Sequence, residues 1–505
     1  MHEVMDLLAN QLMNYCRSMC IWEDECVKIW FSEGKAKTLC WGRIQEMAER
    51  IPTVQVRWRR PRVEEFEKAF RKASGAGGTD GWIGDEISMT PSGAIECFVE
   101  LTARWEKVKR PPKVMAEARQ ADLEKPGKAV KGVLDAKNTR PITVFSVLWR
   151  AYCTAWVRCG PTQEWMKKTF PKEIVTGAQA ESTEECVATL LEAFVELGYM
   201  ATLDFSQAYD CMKPEVSKKF LRQAGLPEGL LAVLSFVWQN QRRFVAWDGH
   251  ITKEPLEISE ATPQGDPWGP VLMAIWVLVG MRSVEAEEKK LEEKEDQEEP
   301  WKVVKRRKER RSKQRHYMDD RSWVHGHPKN VIRRKQCWEK WSQEVGMKEN
   351  PTKAQIMAYG QNHFAELAQA AAEEGEEGQV VEAFEGLGCV AVPAKGRGLA
   401  EKKEKRLKDA ANVIAQIKVL PVGRTMKRKY IKALGMSKAA YGWVAKRPPA
   451  GQCQKLASVT WKTVGVAGNT NPFLRKVLHG ADLMLQPVLA ATLLPSCLRF
   501  CLLWR

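Results

Sequence analysis

The sequence predicts an α+β fold built around a split β-α-β arrangement of the ferredoxin-like kind, and three observations predict it. Met200 to Phe205 reads as a short strand, followed by helical segments. Phe244-Val245-Ala246-Trp247 then runs into Asp248-Gly249, a dipeptide that favours a tight hairpin. Beyond another helical run, Tyr317-Met318-Asp319-Asp320 sets two adjacent aspartates between apolar and aromatic flanks, as in a second hairpin. A chain of 505 residues exceeds the size at which one core stays single, so two or three subdomains are expected.

Each element has its own local reason. In the first strand Leu203 and Phe205 share one face, which sends Asp204 to the other. Pro214 and Pro227 suit the first turns of two helices, because proline lacks the N–H that a first turn leaves unpaired. The apolar run Val271 to Met281 is too short to cross a membrane and reads as a buried helix, entered through Ala261-Thr262-Pro263-Gln264-Gly265-Asp266-Pro267-Trp268-Gly269-Pro270. Upstream, glycines 75, 77, 78 and 81 punctuate a loop containing Thr79-Asp80-Gly81-Trp82. Downstream, Leu407, Ala411, Ile414, Ile417 and Leu420 recur at helical spacing with lysines and arginines between them. Residues 1–60 are helical in pattern, and Met484 to Arg505 reads as a packed helical segment interrupted by Pro487, Pro495 and Arg499.

Charge and cysteine usage bound the function. Lys plus Arg outnumber Asp plus Glu by 79 to 63, a formal +16 that attracts polyanions; nucleic acid is the simplest, though ribosomal, chromatin and membrane-surface proteins share the property. The 14 cysteines are scattered and no signal peptide precedes them, which implies a reducing, intracellular compartment. Their one cluster, Cys16, Cys20, Cys26 and Cys40, fits no zinc spacing. Between residues 283 and 313 an acidic run, Glu285 to Glu299, is followed by a basic one, Lys302 to Arg311. Neither has the apolar content to bury, so an exposed helical or disordered excursion is expected, its basic half available to nucleic acid or as a nuclear import signal.

A lone Asp-Asp pair is most often a solvated turn. Here Asp319-Asp320 is accompanied by Asp204, and repelling carboxylates at strand ends call for a hard cation such as magnesium. Together with Asn138-Thr139-Arg140-Pro141-Ile142-Thr143 and Gly346-Met347-Lys348-Glu349-Asn350-Pro351-Thr352-Lys353, these segments resemble a reverse transcriptase, most closely those of non-LTR retrotransposons. Asp204 to Asp210 resembles that family's motif A, Gln264 to Pro267 motif B, Tyr317 to Asp320 motif C, Gly346 to Lys353 motif D and Phe384 to Gly388 a weaker motif E. The resemblance runs from about Gly78 to Trp443.

The resemblance implies a right-hand polymerase. Residues 61–195 would be fingers, 196–394 a ferredoxin-like palm carrying the charged insertion 283–313, and 395–505 a helical thumb and C-terminal region, after a helical extension at 1–60. It also implies two magnesium ions, with manganese as the alternative, held by Asp204, Asp319, the main-chain carbonyl of Phe205 and, less directly, Asp320. Arg140, and more weakly Lys125, would bind triphosphate; Tyr209 would lie under the incoming sugar; Gln264 and Gly265 would contact nucleotide and template; Lys353 would protonate the leaving pyrophosphate. Asp210, six residues beyond Asp204, is expected to serve structure. Gly269 departs from the family pattern, which has a small hydroxyl residue there. The implied partners are an RNA template, a DNA primer or duplex and deoxynucleoside triphosphates, with no membrane. A viral RNA-dependent RNA polymerase and a decayed copy that only binds nucleic acid are the competing readings; Tyr209 and Tyr-Met-Asp-Asp weigh against the first, and the intact aspartates against the second.

Overall fold

The computed structural model describes residues 39–124, 139–175, 183–247, 250–298, 312–376, 379–381, 384–386, 389–391, 398–440 and 450–464. Lys125, the basic run 302–311, the Asp248-Gly249 pair, Cys16, Cys20, Cys26 and the segment 484–505 lie outside them. The chain forms two compact units. One comprises Met1–Ala178, Phe205–Lys290 and Cys337–Glu349; the other comprises Gln179–Asp204, Leu291–Gln336 and Asn350–Arg505.

The first unit is organised on strands β1 (Glu117–Glu124) and β2 (Thr139–Phe145), paired antiparallel with Ala121 opposite Ile142; a short β3 spans Ile174–Val175. β1 also pairs in parallel with β5 (Gln241–Trp247), which continues antiparallel to β6 (His250–Ile251) and β7 (Leu256–Ile258). Trp247 faces His250 across an antiparallel pair, while the Asp248-Gly249 turn expected between them lies outside the described residues. The pair belongs, however, to the β1–β2 sheet and not to the sheet of the Asp-Asp turn. The reason is non-local: the parallel partner of β5 lies far upstream, where spacing along the chain gives no guide. Pro214 is the first residue of the helix Pro214–Gln223, and Pro227 caps Glu228–Gln239.

The helix Gly269–Glu298 begins in this unit, with Val271 to Gly280 all buried. Gly280 is required there. A Cβ would lie 2.3 Å from Cζ3 of Trp338 and 3.1 Å from Cζ3 of Trp341. Length and composition would let this helix cross a membrane, but 78% of its most apolar window is buried, the pattern of a core helix. It runs unbroken through the acidic stretch to Glu298. Glu287 pairs with Lys340 at 2.7 Å, Glu295 pairs with Arg333, and Glu288 is buried, so the acidic half is a helix held by ion pairs and only partly exposed.

The second unit contains an antiparallel sheet in the order β10 (Gln355–Ala358), β4 (Tyr199–Leu203), β9 (Asp320–His325), β8 (Ser312–Tyr317). The helix Thr183–Leu197 lies on it, packing Ala193, Phe194 and Leu197 against Met200, Val324 and Met357. Farther on, β11 (Phe384–Gly386) pairs with β12 (Cys389–Ala391). The helix Gly398–Val419 presents Leu407, Ile414 and Ile417, as the 3.6-residue spacing predicted, to Cys453, Leu456 and Trp461 of Ala450–Thr463; Ala410 is the buried alanine, and the expected Ala411 is only partly buried. Leu420 falls just past the helix end and is exposed.

Candidate active site

In the second unit three carboxylates meet at one end of the sheet. β4 ends at Leu203, opposite Arg321 on β9, and Asp204 follows directly. Asn350 donates its N–H to the Asp204 carbonyl at 2.9 Å, which fixes the chain as it leaves the strand. Tyr317 pairs with Asp320, so Met318 and Asp319 form a two-residue turn between β8 and β9. Met318 has φ of 56°. That left-handed backbone costs a non-glycine residue about 1–2 kcal/mol, and such strain concentrates at functional loops.

The charges are poorly compensated. Asp204 is 6% exposed and accepts a 2.5 Å hydrogen bond from the ammonium of Lys353. Burial, then the charges of Asp319 and Asp204, push the Asp320 carboxyl up to about 7. Asp319 is raised in the same way, by burial first and then by Asp204; the positive charges of Lys353 and Arg321 only moderate both. Burial works against the charge of Lys353, but its bond to Asp204 and the surrounding carboxylates leave its affinity for the proton raised. Hard oxygen donors with surplus negative charge are the chemistry of a magnesium or manganese site, and the ammonium stands on Asp204 where a cation is called for. Among the described residues no three His, Cys, Asp or Glu side chains are gathered at ligand spacing.

The remaining candidates belong to the first unit. Phe205 bridges to Glu349, and Ser206 N–H donates to the Lys348 carbonyl at 2.8 Å, so Lys348 and Glu349 hold the chain just beyond Asp204. Gln207, at φ 53°, leads into the short helix Ala208–Cys211 that carries Tyr209. The Tyr209 carbonyl accepts the Thr262 N–H at 3.0 Å, and its ring lies against Gly269: a Cβ there would come within 3.1 Å of Cε1. Glycine at 269 thus makes room for the Tyr209 ring, a physical reason for the departure from the family pattern. Thr143 N–H donates to the Gln264 carbonyl at 2.7 Å, and Gly265, at φ 122°, sits where a Cβ would be 2.4 Å from the Thr143 oxygen. Gln264-Gly265 is therefore stitched to β2, the strand on which Arg140 is exposed.

Three other acids have structural partners. Asp210 and Asp122 face the buried Arg243, whose pKa burial lowers to about 10 against the pull of those carboxylates. The guanidinium also donates to Gln241 Oε1 at 2.6 and 3.0 Å. Asp266, which the sequence reading did not single out, is buried and accepts the indole N–H of Trp149 at 3.0 Å and of Trp238 at 3.4 Å and the backbone N–H of Trp268 at 2.8 Å. It anchors the start of the helix Gly269–Glu298. Its distant partners left no local signal.

No curated protein matches the chain. The family model described as reverse transcriptase (RNA-dependent DNA polymerase) matches residues 123–435, a span that takes in Arg140, both aspartate motifs, Gln264 and Lys353. The chain therefore belongs to the reverse transcriptase family: it is an RNA-directed DNA polymerase, a nucleotidyltransferase with the polymerase palm fold.

Proposed function

We propose that the chain is a reverse transcriptase of the non-LTR retrotransposon type, that Asp204 and Asp319 together bind two magnesium ions, and that Asp320 tunes charge and orientation beside them. The surplus of carboxylate over cation around Asp204, Asp319 and Asp320 carries this reading. Bound divalent ions would make the primer 3′ hydroxyl nucleophilic and offset the charge of departing pyrophosphate. The main-chain carbonyl of Phe205 completes the oxygen donors. Lys353 holds the charge of Asp204 in check and is the proton donor for pyrophosphate. Arg140, with Lys125, presents cationic donors to triphosphate; Gln264 and Gly265 contact nucleotide and template; Tyr209 sets the sugar preference. Residues 61–195, 196–394 and 395–505 serve as fingers, palm and thumb on a template–primer duplex.

Primer extension on RNA and DNA templates, with deoxy- and ribonucleotides, tests this. Extension on RNA with deoxynucleotides in magnesium, lost on chelation, is the expected result. Preference for ribonucleotides would favour the RNA polymerase reading, and binding without extension the decayed copy.

A further inference from the structure

In the first unit a cleft of about 460 Å³ opens between the end of the helix Glu228–Gln239, the start of β5 and the segment after the helix Ser92–Val108. Arg110, Lys113, Phe236, Asn240, Arg242 and Glu257 are among its lining residues, three cations against one carboxylate. None belongs to the motifs described above. The Arg110 guanidinium lies 5.2 Å from the centroid of the half-buried Phe236 ring. Arg110 is also fixed through its backbone: Lys109 adopts φ 58°, where glycine is the usual choice, and Arg110 N–H donates to the Trp105 carbonyl at 3.0 Å. Pro111 and Pro112 follow. This cation is pre-positioned, so little freedom is lost when it takes a ligand.

The ligand's chemistry follows from the lining. Arg242 is committed to Glu117 at 2.6 Å. Among the described residues Arg110 and Lys113 have no ion-pair partner, and their chain neighbours Lys107 and Lys109 are exposed. Cations beside an aromatic ring, with the amides of Gln239 and Asn240 in the cleft, match a strand with phosphates on one side and unpaired bases on the other. A duplex would hide its bases from such a site.

We propose that this cleft is a second binding site for single-stranded nucleic acid, with phosphates on Arg110 and Lys113 and a base stacked on the Arg110–Phe236 pair. The test uses the full chain, saturated with an unlabelled blunt primer–template duplex, and follows anisotropy of a labelled 12-nucleotide oligouridine at several salt concentrations. Arg110→Gln with Lys113→Gln removes two phosphate contacts, so affinity should fall about tenfold and the salt slope of log affinity should shrink by about 1.4. Phe236→Leu should weaken binding about threefold while extension of a separate recessed primer on a short template is retained. Oligouridine carrying 4-thiouridine should crosslink within the peptide around Phe236 in the wild-type protein. Unchanged affinity and slope in a double variant that melts like wild type, or crosslinks that avoid that peptide, would overturn the proposal. Tighter binding of polyglutamate than of oligouridine would overturn it in favour of an acidic protein partner.

Discussion

Asp204 and Asp210 stand six residues apart in one motif, yet the fold gives them opposite electrostatic surroundings. Asp204 joins Asp319 and Asp320 at a strained turn, where burial and mutual repulsion raise the proton affinities of the latter two and Lys353 is the ammonium bonded to Asp204. Asp210 instead works with Asp122 on a fully buried guanidinium that glutamines also hydrogen-bond. Asp266 repeats the second pattern with three N–H donors. A satisfied carboxylate holds a fold together. A crowded and under-compensated one suits a cation, the role proposed above for Asp204 and Asp319, and the two kinds are told apart by partners more than by burial.

The comparison breaks most visibly in catalysis. Asp204→Asn and Asp319→Asn should each lower primer extension on the order of a thousandfold or more with duplex binding retained, and Asp319→Asn, which removes a repelling charge, should melt no lower than wild type. Melting well below wild type in Asp319→Asn would mean that this carboxylate is structural after all. For Arg243→Ala the expectation is reversed: a loss of about 3–5 kcal/mol in urea denaturation, since two acids lose their buried counter-charge. A variant as stable as wild type would remove the contrast from the other side.

How much of this was legible follows from sequence range. The carboxylates of the acid site were readable because each sits in a local strand-and-turn pattern, and the apolar run after Gly269 showed its burial directly. Asp266 was not readable, since Trp149 and Trp238 reach it from distant helices. The β5–β6 pairing was readable in itself and not by sheet, because β1 claims β5 from upstream. The acidic run looked solvent-facing because composition does not reveal partners such as Lys340 and Arg333.

A smaller effect sharpens the electrostatic half of the comparison. Asp320 is raised from the ordinary 3.8 to about 7 by burial and its neighbours, so in metal-free protein it costs nothing below 3.8, costs more as pH rises, and costs most above about 7. In chelator, Asp320→Asn should therefore melt a few degrees above wild type at pH 8, and the gap should close as pH falls toward 4. A gap constant across that range would remove the carboxylate crowding from the account. Smaller still is the sugar preference. Tyr209→Ala should raise ribonucleotide over deoxynucleotide efficiency, read as the ratio for one primer and template, while Gly269→Ala, which crowds that ring, should leave the ratio within about threefold of wild type. An unchanged ratio in Tyr209→Ala would take the sugar contact away from this residue.

Magnesium titration by calorimetry on wild type, Asp204→Asn and Asp210→Asn tests the central claim most directly, because it reads the ion without requiring turnover. Wild type and Asp210→Asn should bind alike, and Asp204→Asn should lose the site. Equal loss in both variants, or retention in both, would contradict the division between a carboxylate kept for metal and one kept for structure.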